Sequence, residues 1–234
     1  MLKYFNVRKK NGESKMKKII CILLTAILLC VPLTSCDIDE EEKNAPHVPP
    51  TMEQLDFSTL SDLSGVTESE APTDYVKIEV KDYGTIVVRL FPDVAPKTVE
   101  NFKKLVSQKF YDGIIFHRVI ENFMIQGGDP DGDGMGGSPD TIKGEFNSNG
   151  FTNNLLHKRG VISMARTNDK NSASSQFFIM HKDYPSLNGQ YASFGYVVYG
   201  METVDKIAEV LTDSNDKPVF TVKMTSVRFV TVAQ

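Results

Sequence analysis

Residues 116–130 read FHRVIENFMIQGGDP, and this stretch decides which fold the rest of the sequence completes. Two short apolar runs flank Glu121 and Asn122, and their β-branched and aromatic residues are typical of strands. Arg118 stands alone in the first run. Because a guanidinium cannot be taken out of water cheaply, Arg118 needs either an acidic partner or a solvent-filled groove. The sequence leaves both interpretations open, a structural ion pair and a functional arginine.

Segments with the same strand pattern lie on both sides of this stretch. They are YVKIEV, TIVVRLF, GVISMA, QFFIM, FGYVVYG and VFTVKMTSVRFV. Two stretches have helical periodicity instead, APKTVENFKKLVSQ and METVDKIAEVL. The predicted apolar faces of these helices are Val99, Phe102, Leu105 and Val106, and Val204, Ile207, Ala208 and Leu211. Many strands with two helices and no βαβ alternation predict a mainly β domain, an antiparallel barrel or sandwich.

The acidic, glycine-rich run DPDGDGMGGSPD at residues 129–140 resembles an EF-hand calcium loop in the spacing of its first acids and its glycine. The flanks argue against that interpretation. An EF-hand loop is entered from a helix, whereas FMIQGG reads as a strand, and Ser138-Pro139 interrupts the exit. We therefore interpret the glycines as backbone that follows tight dihedral angles, and the acids Asp131 and Asp133 as solvated charges.

Familiar catalytic and metal-binding patterns are missing from the sequence. It has no G-x-S-x-G motif, and all three cysteines lie at or before residue 36. His117, His157 and His181 lack metal-ligand spacing, so we expect no metal site. His117, within an apolar strand, is interpreted as a hydrogen-bonded core histidine. For Phe123 and Met124, each taken singly, a role in the core is the favoured interpretation.

The N-terminal region has the pattern of an export signal. Basic residues at 17 and 18 precede a 15-residue apolar run at 19–33, shorter than the roughly 20 residues of a membrane-spanning helix. The sequence Leu-Thr-Ser-Cys, ending at Cys36, resembles the lipobox of bacterial lipoproteins. We predict a lipoprotein signal peptide over residues 1–35 and lipidation of Cys36; an ordinary signal peptide with Cys36 as a bystander is the alternative. Translation could start at Met1 or at Met16.

Residues 36–73 are predicted to be an acidic, flexible tether. The segment 37–73 contains ten acids, one base and prolines at 46, 49, 50 and 72. An alternative for part of it is a short docking element formed by Leu55, Phe57, Leu60 and Leu63. Removal of residues 1–35 leaves 19 basic and 29 acidic residues, a net charge of −10. This balance argues against binding to nucleic acid, whose phosphates attract basic proteins.

The region from about Tyr75 to the C-terminus resembles the cyclophilin family of peptidyl-prolyl isomerases. The resemblance rests on ordered motifs: APKTVENF, YDGIIFHRVIENFMIQGGDP, the glycines at 132–137, GVISMAR, SSQFFI and LNGQYASFG. It implies a closed eight-stranded antiparallel β-barrel capped by two α-helices, over residues 74–234, with a groove on its outer surface and no cofactor. The glycine-rich run would then be a loop that shapes one side of the groove.

The resemblance also implies site residues. The catalytic arginine would be Arg118, and the substrate-binding residues would be Phe123, Met124, Gln126, Ala165, Arg166, Gln176, Phe178, Leu187 and Tyr191. Two positions depart from many eukaryotic relatives: Ser186 stands where they have tryptophan, and Tyr191 where they have histidine. The first departure puts tight binding of cyclosporin in doubt.

The expected activity is cis-trans isomerisation of X-Pro bonds in unfolded exported proteins. We expect a monomer in the bacterial cell envelope, anchored through a lipid on Cys36 and facing away from the cytoplasm. The alternative is a membrane-tethered proline-binding chaperone or binding module that needs no turnover.

Overall fold

The computed structural model describes residues 48–233, and the predicted signal peptide and Cys36 lie outside them. The described residues form nine antiparallel β-strands and two α-helices. The strands are β1 (Val66–Ser69), β2 (Tyr75–Val80), β3 (Gly84–Leu90), β4 (Phe116–Ile120), β5 (Met124–Gly127), β6 (Val161–Met164), β7 (Phe177–Met180), β8 (Ser193–Tyr199) and β9 (Met224–Val232). The predicted mainly β class is confirmed.

The strands follow the order β1-β9-β2-β3-β8-β6-β7-β5-β4 in one sheet. Within the described residues, β4 meets β9 through one isolated bridge, Ile115 with Lys223, and a few flanking hydrogen bonds. A closed, eight-stranded barrel is therefore wrong in both strand number and closure. The ninth strand is β1, from the segment predicted to be a tether. Closure fails because β4 is short and residue Asp216 of a neighbouring hairpin, not β9, bonds to the backbone of Val119.

Helix α1 spans Pro96–Ser107, as its periodicity predicts. Proline suits the first helical position, where the missing N–H would have no partner within the helix. The next two N–H groups, of Lys97 and Thr98, donate to the buried carboxylate of Glu145 at 3.0 and 2.8 Å. The predicted apolar face is buried: Val99, Phe102, Leu105 and Val106.

Helix α2 spans Met201–Ala208 and begins after Gly200, whose φ of +86° suits glycine. Val204, Ile207 and Ala208 are buried as predicted. Leu211 is not part of this face, because the helix ends at Ala208, and 75% of Leu211 is exposed.

The core lies between the inner face of the sheet and the helices. At its centre the Phe102 ring of α1 lies 5.2 Å from Tyr111, 5.7 Å from Phe177 of β7 and 5.2 Å from Phe194 of β8, measured between ring centroids. All four side chains are fully buried. This packing fixes β7, whose opposite face carries part of the candidate site. Within residues 48–233, no helix has the length and apolar character that crossing a bilayer requires.

Residues 48–73, here called the N-terminal arm, lie against the sheet. Strand β1 pairs with β9, and the N–H of Leu60 donates to the carbonyl of Val198 at 2.7 Å. The Phe57 ring packs edge-on against Phe91 and Tyr196, at centroid distances of 5.8 and 5.0 Å.

The arm differs from the flexible tether predicted for residues 36–73. Its apolar side chains alternate in sequence with acids and prolines. They nevertheless form a second small core, in which Leu60, Leu63 and Val66 pack over Val87, Val198 and Val230. The docking element considered as an alternative is therefore present and is longer than expected. The folded unit begins at Val48, not at residue 74, and residues 36–47 of the predicted tether lie outside the described residues.

Candidate active site

A cavity of about 670 Å³ opens on the outer face of β4, β5 and β7. Antiparallel pairing places Arg118 opposite Gln126, and Gln126 opposite Phe178. Directly opposite residues share a face of the sheet, so the three side chains form one row across three strands. Their chain neighbours Val119 and Ile125 are buried on the inner face. Strand alternation thus explains how an apolar strand presents one arginine to solvent.

Arg118 is half-exposed and partly held. Its Nε donates to Oδ2 of Asp216 at 3.2 Å, and both side chains are 41% exposed. Among residues 48–233 its guanidinium has no further hydrogen-bond acceptor, so Nη1 and Nη2 can donate to a bound molecule. The sequence left an ion pair and a groove as alternatives for Arg118, and both are present.

Asp216 was not anticipated from the sequence. It has a φ of +63°, and its carbonyl accepts the N–H of Val119 at 2.8 Å. Aspartate tolerates this left-handed conformation better than most residues. Asp216 therefore binds both the backbone and the arginine of β4. Its remoteness in sequence, 98 positions from Arg118, left no local signal of this contact.

The apolar end of the cavity is formed by residues predicted to bind the substrate: Phe123, Met124, Ala165, Phe178, Leu187 and Tyr191. Met124 and Phe178 are 2% and 5% exposed, so the pocket wall is rigidly packed. The Tyr191 ring lies edge-on to Phe178 at 5.8 Å. A small, largely apolar ring such as that of proline fits this lining chemically.

His157 supports this wall from behind. Its ring stacks on Phe178 at 6.0 Å, its Nε2 lies 3.0 Å from Oγ of Ser163, and its Nδ1 lies 3.3 Å from Oδ1 of Asn188. Burial lowers the pKa of His157 to about 4, despite the opposing hydrogen bond to Asn188. His157 is therefore neutral near pH 7 and acts in packing.

Gln126 is positioned by Gln176. The Gln126 amide donates to Oε1 of Gln176 at 2.8 Å, and the Gln176 amide donates to the carbonyls of Gly136 and Gly134 at 2.7 and 3.1 Å. Gln176 lines a neighbouring cavity of about 300 Å³, which shares Gln126 and Ala165 with the first. It connects Gln126 to the glycine-rich loop, because its side chain reaches that loop from β7's N-terminal end.

Arg166 lines both cavities, and its charge is already engaged. Its guanidinium lies 4.6 Å from the centroid of the Tyr191 ring and 5.1 Å from that of Phe146. It also donates to the carbonyl of Gln190 at 2.9 and 3.1 Å. Each guanidinium nitrogen of Arg166 thus has a protein acceptor, whereas Nη1 and Nη2 of Arg118 have none among residues 48–233.

The glycine-rich loop is organised by Asp129, which is 1% exposed. Its carboxylate accepts the N–H groups of Asp131, Asp133 and Gly134 at 2.9, 3.1 and 2.6 Å. Burial alone would raise the pKa of Asp129, but these hydrogen bonds outweigh it and lower the pKa. Strand β5 enters the loop, and within residues 48–233 no group of three or more acidic, histidine or cysteine side chains is placed to hold a metal.

His117 differs from the hydrogen-bonded core histidine that was predicted. It is 5% exposed, but neither ring nitrogen has a hydrogen-bond partner within residues 48–233. Desolvation lowers its pKa, opposed by the carboxylate of Asp129. The polar end of the cavity around it also includes Asp133, Asp213, Asn215 and Lys217. Asp213, Asn215 and Lys217 come from an exposed hairpin whose composition gave no functional signal.

Comparison with known proteins gives one consistent result. Residues 75–229 match the family model described as cyclophilin type peptidyl-prolyl cis-trans isomerase/CLD. Peptidyl-prolyl cis-trans isomerase B of Bacillus subtilis is 46% identical over 130 residues, covering 56% of this chain and 86% of the relative. A probable peptidyl-prolyl cis-trans isomerase of Brucella suis is 45% identical over 165 residues, covering 64% of this chain and 80% of the relative.

Solved structures agree with the sequence relatives. A crystal structure of a cyclophilin type peptidyl-prolyl cis-trans isomerase from Cryptosporidium parvum matches with a TM-score of 0.63 and 32% identity, covering 69% of this chain and 99% of that one. A second crystal structure of that protein, obtained in the presence of the dipeptide Ala-Pro, matches with a TM-score of 0.61 and 33% identity over 68% of this chain and 99% of that one.

Proposed function

The chain belongs to the cyclophilin-type peptidyl-prolyl cis-trans isomerases, and from this membership we propose that it isomerises X-Pro bonds of exported polypeptides in the cavity that Arg118 lines. The observation that carries the proposal is the row formed by Arg118, Gln126 and Phe178. It places available guanidinium donors beside an apolar pocket. The Ala-Pro dipeptide named for the Cryptosporidium crystal structure is a ligand of the expected class.

The reaction is a rotation, and no bond needs to break. Its barrier of about 18–20 kcal/mol arises from the partial double-bond character of the amide. A catalyst must therefore bind the twisted amide better than either planar isomer. In the twisted amide the proline nitrogen becomes pyramidal and its lone pair accepts hydrogen bonds. Arg118 can donate to that nitrogen through Nη1 or Nη2, while Asp216 holds the guanidinium through Nε.

The other residues hold the substrate on both sides of this rotation. The pocket of Phe123, Met124, Phe178, Leu187 and Tyr191 receives the proline ring. Gln126, fixed by Gln176, and the backbone at Ala165 and Arg166 bind the chain that precedes it. Fixing one side of the amide while the other turns is the geometry that rotation requires.

Arg118→Ala tests the proposal. We expect kcat to fall at least about tenfold, since a hydrogen bond to a charged group contributes about 1.5–3 kcal/mol. The unfolding temperature should change little, because Arg118 is half-exposed and forms a single 3.2 Å ion pair. Exchange spectroscopy on an X-Pro peptide measures the rate. Arg118→Lys should also be impaired, because lysine keeps the charge but lacks the planar fork.

Arg159 provides a matched control. Its side chain is 42% exposed and pairs with Asp205 at 2.7 Å, away from the cavity. Arg159→Ala should leave turnover intact. An Arg118→Ala protein with full turnover would contradict the catalytic role. A wild-type protein that binds proline peptides without accelerating their exchange would instead favour a proline-binding chaperone.

The location of the enzyme is a separate proposal, supported by the sequence before residue 48. A lipid on Cys36 would anchor the domain outside the cytoplasm, in the bacterial cell envelope. Cys36 lies 12 positions before Val48, where the folded domain begins.

Cell fractionation tests the anchor. Cys36→Ala should release the protein from the membrane fraction or block its processing, because stable anchoring requires acyl chains. Cys30→Ala, a change within the predicted signal, is the matched control and should behave as the wild type. Normal processing and membrane retention of the Cys36→Ala protein would point to a different anchor.

A further inference from the structure

A hairpin at residues 211–219 lies beside β4, at the end of the row that contains Arg118. Its two sides pair through Val219 N–H to Leu211 O at 2.9 Å and Asp213 N–H to Lys217 O at 2.8 Å. The N–H of Val119 donates to Asp216, in the turn. The turn of the hairpin therefore lies beside the edge of β4 that does not pair with β5. A chain laid across β7, β5 and β4 would reach the hairpin next.

One face of this hairpin changes from polar to apolar along its length. The antiparallel bridge between Thr212 and Pro218 sets the register, so the pairs on either side of it, 211 with 219 and 213 with 217, share the other face. Asp213 and Lys217 line the cavity. Leu211 and Val219, two positions further out, are 75% and 58% exposed.

Phe220 extends the same exposed region. It follows Val219 directly and is 74% exposed. Three large apolar side chains thus lie exposed within ten positions, next to the cavity. Scattered exposed apolar residues are ordinary, but a cluster that adjoins a binding cavity marks an interaction surface. Leu211, Val219 and Phe220 are here called the hairpin patch.

Sheet geometry gives the distance between this patch and the proline pocket. From β7, which carries Phe178, to β5 and β4 are two strand spacings, and the turn of the hairpin lies one backbone hydrogen bond beyond β4, which makes a total of about 14 Å. An extended polypeptide covers that in about four residues, and the patch lies about two residues further along the hairpin.

We propose that the hairpin patch is a second contact surface for the substrate polypeptide, receiving an apolar side chain about four to six residues from the isomerised proline. The inference rests on the proposed isomerase function of the cavity. It adds a preference for unfolded chains, in which apolar side chains near a proline are accessible. Folded proteins bury such side chains, so the surface would favour substrates that still need to fold.

The test compares peptides of about 15 residues with one central proline. One pair carries Phe or Ser five residues after the proline, and a second pair carries them five residues before it. In the pair whose substituted side reaches the hairpin, the Phe peptide should have a KM about fivefold lower than that of the Ser peptide, with kcat unchanged. That is the order expected when part of one apolar side chain leaves water.

The double variant Leu211→Ser/Val219→Ser should abolish the difference between the Phe and Ser peptides. A tetrapeptide too short to reach the patch is the internal control, and wild type and variant should isomerise it equally. Failure to accelerate even the tetrapeptide would contradict the proposed function itself. Equal KM values for Phe and Ser peptides on both flanks, or a difference that persists in the variant, would overturn this inference alone. So would a concentration-dependent dimer that the double variant abolishes, because the patch would then bind a second copy of the chain.

Discussion

Phe57→Ala is the most direct test of whether the N-terminal arm is part of the folded domain. Complete burial of a phenylalanine makes its replacement by alanine cost about 3–5 kcal/mol. Phe57 is partly buried between Phe91 and Tyr196, so we expect a loss of about 2 kcal/mol. For a domain of this size, that loss lowers the unfolding temperature by about 4–8 °C.

Thermal unfolding followed by circular dichroism measures this change. Phe220→Ala is the matched control, because Phe220 is 74% exposed and its replacement should alter stability by less than about 0.5 kcal/mol. Equal unfolding temperatures for the Phe57→Ala and Phe220→Ala proteins would refute the packing of the arm. Deletion of residues 48–73 should cost more than Phe57→Ala, since it also uncovers Val87, Val198 and Val230.

Three further predictions concern the site and its surroundings. The free energy of unfolding should be highest above about pH 6.5 and fall by up to about 3 kcal/mol towards pH 4, because His157 is protonated more readily in the unfolded state than in the folded state. Denaturant titrations of the His157→Gln protein should show a smaller dependence on pH. Asp216→Gly keeps the left-handed backbone and should lower kcat a few-fold in the wild-type background, but it should cause no further loss in the Arg118→Ala protein. Asp82→Gly, at another left-handed turn, is the control. Multiplicative losses of kcat in the double variant would contradict the idea that Asp216 acts by positioning Arg118. Titration calorimetry should detect no micromolar calcium site in the glycine-rich loop, since the Asp129 carboxylate is already bonded to three backbone N–H groups; tight binding abolished by Asp131→Ala would show the opposite.

Short-range sequence patterns were sufficient to predict most of the strands and helices. Alternation of side chains located the strands around Arg118 and Gln126, and helical periodicity located α1 and most of α2. The end of α2 was misplaced because Leu211 continues the apolar spacing although the helix stops at Ala208. Periodicity shows which residues could share one face of a helix, but it does not show where the helix ends.

Contacts between distant segments could not be predicted in this way. The arm has the composition of a tether. It is ordered by contacts with distant segments: its apolar side chains cover residues of β3, β8 and β9, and β1 pairs with β9. Asp216 reaches Arg118 from a hairpin near the other end of the domain. The residues that the resemblance implied for the site line two adjoining cavities, because they come from its motifs.

The pairing of β1 with β9 also changes what the sheet presents to other molecules. Without β1, residues 229–232 of β9 would lose their partner strand and offer unpaired N–H and C=O groups. With it, the outermost strand is four residues long and carries Glu68, which pairs with Lys77 at 2.7 Å. Short, charged edges resist the addition of strands from other chains. The arm therefore protects this edge of the sheet against edge-to-edge aggregation, which matters for an isomerase that acts on proline-containing peptides.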